Sequence, residues 1–264
     1  MPVFRYHNPQ YDTSSLLVIV RSFILNPFNG CNTFADVEDV LYNPVYNALL
    51  SGDAHLSLGA GEVRWFDEEV SPFAGFPEEY SKGFEDLFHS LPPGRNILYA
   101  TPQLIKEPRG WQFLAEIKGL QFIYTGWPTS VEHSLKIVAL QKENIEEMMQ
   151  LATLTKPGPF GARTIEFGHY FGIFDNGQLV AMTGQRLHVE NYTEISAVCT
   201  HPAHLGKGFA AALMQHQLRL IQSHGQLPFL HVRADNSRAI ALYERLHFKV
   251  NRAMNFNFMR RGVG

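Results

Sequence analysis

EISAVCTHPAHLGKGFAAALM, residues Glu194 to Met214, is the stretch on which the architecture turns. Its first part alternates in polarity and reads as a strand ending at Thr200. A turn through Pro202 follows, then Gly206-Lys207-Gly208, then an apolar run at helical spacing. No Ser, Thr, Asp or Asn heads that helix, so its first backbone N–H groups lack a side-chain acceptor. With the helix dipole, such groups make an anion site. Gly206 and Gly208 let a phosphate approach the backbone closely. The expected ligand is phosphorylated.

Two kinds of phosphate site compete for this pattern. Gly206-x-Gly208-x-x-Ala211 fits the dinucleotide fingerprint, with Asp235 after the next strand as its acidic partner. Asp235 stands further on than the roughly 20 residues that fingerprint needs, and little chain remains to complete a doubly wound sheet. The preceding segment also differs. Tyr170–Phe174, the turn Asp175-Asn176-Gly177 and Gln178–Leu187 read as a hairpin, because Asn-Gly favours the tight two-residue turn. A second hairpin leads into Thr193–Thr200. Antiparallel strands running into a phosphate-binding helix are not the parallel unit of a dinucleotide fold.

Leu205 to Ala210 resembles the pyrophosphate motif Q/R-x-x-G-x-G/A of the GNAT acyltransferase superfamily, which binds acetyl-CoA. Gly208 and Ala210 keep its small positions, while Leu205 replaces the usual Arg or Gln and removes a charged contact. Downstream, Asn236, Ala239, Tyr243 and Phe248 fall in register with the closing motif N-x-x-A-x-x-x-Y-x-x-x-G-F, with His247 in place of the Gly. The resemblance spans Ser134 to Arg260. It implies an α/β (α+β) fold with a mixed, mostly antiparallel central sheet flanked by helices. It also implies an N-acetyltransferase that passes acetyl from acetyl-CoA to a small amine-bearing acceptor by direct attack. The alternative is a non-catalytic acyl-CoA-binding or regulatory module; a dinucleotide-dependent oxidoreductase stands third.

The resemblance assigns residues. Val198, Cys199 and Thr200 supply backbone contacts to the pantetheine arm. Gly206, Lys207, Gly208, Phe209, Ala210 and Ala211 hold the pyrophosphate, and Asn236 belongs to the same cofactor set. Acyl transfer needs a neutral amine, an acid near the departing sulfur and donors on the thioester carbonyl. Tyr243 is the candidate acid. Ala239, Leu242, Tyr243 and Leu246 also form a core-facing helical stripe, so a packed tyrosine is the competing reading. Glu194 is the candidate base, because alternation puts Glu194, Ser196, Val198 and Thr200 on one face; a solvated glutamate at a hairpin end is the competing reading. Glu166 and Glu190 are weaker base candidates. Phe160, Arg163 and Glu166 in and after the loop Lys156–Arg163 are the candidate acceptor-binding residues, against a plain Pro/Gly-stiffened connection.

The chain as a whole reads as two halves. Residues 1–125 are aromatic-rich and irregularly patterned, with a helix over 37–50, a strand over 55–66, a helix over 77–91 and a strand over 96–100. This half is either a degenerate GNAT-like copy or a family-specific extension shaping the acceptor pocket. Thr125–Ser134 reads as the linker, and residues 134–264 form the acetyltransferase domain, opening with a strand over 136–140 and a helix over 143–154. A chain of 264 residues, 45% of them hydrophobic, buries one large core or two modest ones. A net charge of −3 disfavours nucleic acid as partner. Two cysteines, Cys31 and Cys199, are too few for a disulfide framework and fit a reducing, cytoplasmic setting. The apolar run Ser15–Leu25 is interrupted by Arg21 and too short to span a membrane. The twelve histidines show no metal-ligand spacing, so no metal is expected. The expected partner is the small amine, and the family prior allows a homodimer.

Overall fold

The computed structural model describes residues 39–126 and 135–263, which fall in one compact unit, Asp39–Gly264. The first elements are α1 (Pro44–Leu50), a hairpin of β1 (Ser57–Ala60) and β2 (Val63–Phe66), and the short β3 (Ala74–Gly75). Then come α2 (Gly83–Ser90), β4 (Asn96–Thr101) and β5 (Trp111–Tyr124). The second half adds β6 (Val138–Ala139), α3 (Ile145–Thr155), β7 (Phe171–Asp175), β8 (Gln178–Val189) and β9 (Tyr192–Thr200). It closes with α4 (Phe209–Ser223), β10 (Leu227–Arg233), α5 (Ser237–Arg245) and β11 (Phe248–Arg261).

Local chemistry explains most boundaries. Pro44 sits in the first turn of α1, where its missing N–H costs nothing, so the expected 37–50 helix starts there among the described residues. The expected strand over 55–66 is a hairpin, reversed at Gly61 with φ 56°. The expected helix over 77–91 shortens to α2. The β7–β8 turn is tight as its Asn-Gly sequence demands, with φ of 49° at Asn176 and 80° at Gly177. Cys31 and the run Ser15–Leu25 lie outside the described residues, as does the linker beyond Gly126.

Among the described residues, eight strands form the main sheet in the order β4-β11-β5-β10-β9-β8-β7-β6, and β1-β2-β3 form a small second sheet. All main-sheet neighbours are antiparallel except β9 and β10. The long strand β5 is absent from the sequence-based expectations. This strand of the first half lies between β10 and β11 of the second half, so one sheet runs through both halves and the linker separates no sheets.

Of four hydrophobic clusters among the described residues, the two largest cover the two faces of the sheet around β9 and β10. On one, Met214, Leu218 and Ile221 of α4 and Tyr243 of α5 pack on Phe122, Ile195, Leu230, Val232 and Phe248. On the other, α1, α3 and the segment around Phe66 and Phe73 cover Met182, Leu187, Ala197, Cys199, Phe229 and Phe256.

Candidate functional site

β9 and β10 begin as a paired parallel ladder and then part. Tyr192–Leu227, Thr193–Pro228 and Glu194–Phe229 are in register; beyond them the two strands have no pairing with each other. β10 keeps β5 on its far side and β9 keeps β8, so the sheet carries an internal split with a free backbone edge on each lip. An extended ligand can add to such edges as a strand would. Within β9 the alternation breaks. The register with β8 slips between Met182 and Gly184, and Ala197 adopts φ 52°, a β-bulge that adds one residue. Ile195 therefore faces the α4/α5 core, while Ala197 and Cys199 face the other. The expected single face of Glu194, Ser196, Val198 and Thr200 is corrected by this bulge.

At the open end of the split lies the Gly turn. Gly206 and Gly208 hold φ of 82° and 80°, the left-handed region that favours glycine. A Cβ at either position would meet nothing within 4 Å. Gly208 caps α4 without a side-chain acceptor, and no acidic residue stands in the helix's first turn. Ala212 N–H is the first to bond backward, to Gly208. From Gly206 to Ala211 no amide has an acceptor among the described residues. Fifteen residues of helix stand behind these donors. Nearby, Thr200 Oγ1 is buried without a partner among the described residues. Leu205 is exposed, and Lys207 Nζ lies 3.9 Å from Asp175, which also meets His204 Nε2 at 3.0 Å. Val198 is half-buried and Cys199 buried. Burial pushes the Cys199 thiol up to about 11, so it stays protonated and is no nucleophile.

Tyr243 reaches the split from the α5 side. It is buried against Phe122 and Phe248, with ring centroids 6.3 and 6.1 Å away. Burial, and then the neighbouring Cys199, raise its pKa well above the ordinary tyrosine value. Its hydroxyl makes no hydrogen bond with any described residue. Asn236 does not face this site as a free amide: its side-chain oxygen accepts from Ala239 N–H at 3.1 Å and caps α5.

Glu194 is neither solvated nor a free base. It is fully buried, and Arg186 grips it with Nε to Oε2 at 2.8 Å and Nη2 to Oε1 at 2.7 Å. His231 Nδ1 lies 2.8 Å from Oε1, and Gln121 Nε2 lies 3.1 Å from His231 Nε2. Gln121 is itself oriented by donating to Leu41 O and accepting from Asn251 Nδ2, at 2.9 and 2.6 Å. That orientation makes His231 an acceptor at Nε2 and a donor to Glu194 at Nδ1. Burial alone would push the Glu194 carboxyl up. The Arg186 guanidinium and His231 outweigh it and hold the carboxyl well below the usual carboxylate range. A carboxylate so bound has little affinity for an ammonium proton. Sequence reasoning missed Arg186 and His231, because only the folded sheet brings β8, β9 and β10 side by side.

The acceptor-side residues divide. Phe160 lines a cavity of about 340 Å³ with Glu68, Ser71, Asn96, Thr164 and Phe258. Arg163 and Glu166 instead pair with each other, at 2.7 and 2.9 Å, and Arg163 also meets Asp67 at 3.3 Å. They fasten the loop to the segment around residue 67. A wider hollow of about 690 Å³ on α3 is lined by Glu146, Met149, Gln150, Thr153 and Leu154, and contains no residue of the turn or split. Glu190 occupies the β8–β9 turn with φ 45°, exposed. No helix among the described residues is long and apolar enough to cross a membrane.

Known proteins bear on this geometry. The model of the FR47-like protein family matches residues 170–256, from the start of β7 into β11. A solved structure described as a putative acetyltransferase of the GNAT family from Novosphingobium aromaticivorans is 32% identical, with a TM-score of 0.79. The match covers 84% of this chain and 98% of that one. A GCN5-related N-acetyltransferase from Kribbella flavida shares the fold at 16% identity, with a TM-score of 0.58 over 85% of this chain and 96% of that one. Among curated proteins no match was found.

Proposed function

The chain belongs to the GNAT acetyltransferase family, and from that premise we propose that it transfers acetyl from acetyl-CoA to the nitrogen of a small amine. The observation that carries this reading is the run of unbonded amides from Gly206 to Ala211 at the mouth of the β9–β10 split. Those donors suit a pyrophosphate, and the free edge of Val198–Thr200 suits an extended arm carrying amides. The orphaned Thr200 Oγ1 is one more group that a ligand would satisfy. Acetyl-CoA supplies an activated acyl group on a leaving thiolate.

The chain's residues then have three tasks. The turn and split hold the thioester in line, which turns a bimolecular collision into a positioned attack. The amine nitrogen bonds to the thioester carbon, the carbon–sulfur bond breaks, and the proton lost by nitrogen is matched by one gained at sulfur. Tyr243 stays protonated across the neutral range and hydrogen-bonds the departing sulfur. Glu194 acts as a positioning residue that locks β8, β9 and β10 where the split begins, and the amine's proton leaves through water. The cavity beside Phe160 receives the body of the acceptor.

The test is acetyl-CoA consumption by the purified protein against a panel of arylalkyl, alkyl and amino-acid amines. Transfer to at least one amine is expected, with Tyr243→Phe reducing kcat by roughly 10²-fold or more, within the range for general-acid groups. Acetyl-CoA binding with no transfer across the panel would favour the non-catalytic module instead.

A further inference from the structure

Tyr170 is a buried phenol that the roles above leave unused. The residue is 2% exposed, and its hydroxyl makes no hydrogen bond with any described residue, although it is not among the fully buried orphaned atoms. A hydroxyl without a protein partner is free to bond a ligand. The backbone around it is specialised. Gly168 and His169, just before it, both adopt positive φ, 87° and 54°, and the second is strained for a residue with a side chain. The backbone carbonyl of Tyr170 is fixed by Leu140 N–H at 2.8 Å. Its ring lies against β8 at Gly184, where a Cβ would fall 2.2 Å from Cε1. Gly184 has no unusual backbone angle, so its missing side chain is there to admit the ring.

The ring crosses β8 at Gly184, which pairs with Ser196 of β9. Beyond burial, the groups that act on its ionisation are Arg186, Glu194 and Cys199, all beside the bulged stretch of β8 and β9. Tyr243 is acted on by the same Cys199 from the opposite face of the sheet. Two phenols thus approach one segment of β9 from its two sides. On the outer side, Tyr170 meets Phe160 edge-on at 5.8 Å, and Phe160 lines the 340 Å³ cavity. Tyr170 therefore connects the cavity-lining Phe160 to β8 and, through the Gly184–Ser196 pair, to β9.

We propose that the Tyr170 hydroxyl binds the reacting nitrogen of the acceptor, its oxygen accepting the amine's N–H while the lone pair faces the thioester. This rests on the acetyl-transfer reading and adds the contact on the acceptor's side. Burial, outweighing the attraction of Arg186, keeps the phenol protonated well beyond neutral pH, so it orients the nitrogen and takes no proton from it. The bonds made and broken are those of the transfer step already described.

The test compares wild type with Tyr170→Phe, which keeps the ring and its packing, using the best amine of the panel. The expected result is a loss of roughly 10- to 100-fold in kcat/KM for the amine, the range for one hydrogen bond to a polar or charged reactant. The thermal shift given by acetyl-CoA is expected to stay unchanged. Gly184→Ala, which pushes the ring aside and so displaces the hydroxyl without removing it, should lower transfer in wild type and lower it little further when combined with Tyr170→Phe. Wild-type rates in Tyr170→Phe, or parallel loss of acetyl-CoA binding, would overturn the Tyr170 role alone. A wild-type protein that binds acetyl-CoA and acetylates no amine would overturn the transfer reading, and Tyr170's role with it.

Discussion

On its β5 side, strand β10 is paired from Phe229 to Arg233 with Ile123 to Gly119, whereas on its β9 side pairing stops at Phe229 opposite Glu194. The same strand is thus sealed along one edge and open along the other. The seal comes from the first half of the chain, since β5 enters the sheet between β10 and β11. The opening is bounded by the second half alone. A sheet interior that forgoes ladder hydrogen bonds leaves backbone groups wanting partners, and a ligand that supplies them is held by the fold itself. The sealed edge gives the opening one rigid wall, and the open edge leaves the backbone groups on which the proposed ligand would pair.

The largest effect should come from the rung where the strands part. Glu194→Gln leaves Arg186 buried without a counter-charge, which should cost about 3–5 kcal/mol. Chemical denaturation measures it. The same pair should set a pH dependence. The folded carboxyl titrates below its ordinary value of 4.5, so its contribution is complete above that pH and is lost as pH falls toward the folded value. Wild type should therefore lose stability below pH 4.5 more steeply than Glu194→Gln. Equal slopes would mean that the rung is not held by this charge.

A smaller effect, of opposite sign, should come from the sealed side. His247 ends α5 with φ 65°, and its carbonyl accepts from Thr125 N–H at 2.9 Å, tying α5 to the end of β5. Glycine adopts that angle without strain, so His247→Gly should raise stability by about 1 kcal/mol and leave acetyl-CoA binding unchanged. A drop in stability would show that the His247 side chain, rather than the backbone tie, holds this corner.

The open side is far more legible in the sequence than the sealed one. Gly206, Gly208, the uncapped helix and Asn176-Gly177 each act through backbone geometry that a few adjacent residues dictate. The turn, the hairpin and the run of unbonded amides can therefore be read locally. β5 cannot. Its partners on β11 lie more than a hundred residues on, and its exposed and buried positions do not alternate cleanly, because both its edges are paired and its faces are covered unevenly. The bulge at Ala197 is hidden for a similar reason: Ala carries no signal for positive φ. That single inserted residue also puts Glu194 on the face opposite to Val198. Strict alternation joins the two, and the assignment of Glu194 as a base depends on it. Tyr170 stands out only when paired with Gly184, fourteen residues away and across a hairpin.

If acetyl-CoA lies along the open edge, thermal unfolding of wild type and Gly208→Glu with and without acetyl-CoA will register it. A Cβ at Gly208 meets nothing within 4 Å, so the variant should still fold, with modest strain from the positive φ. At about 100 times the dissociation constant, acetyl-CoA should stabilise wild type by roughly 2.7 kcal/mol, and the variant, with a carboxylate beside the unbonded amides, by close to nothing. No shift in wild type, or an equal shift in both proteins, would mean that the Gly206–Ala211 turn does not hold the cofactor.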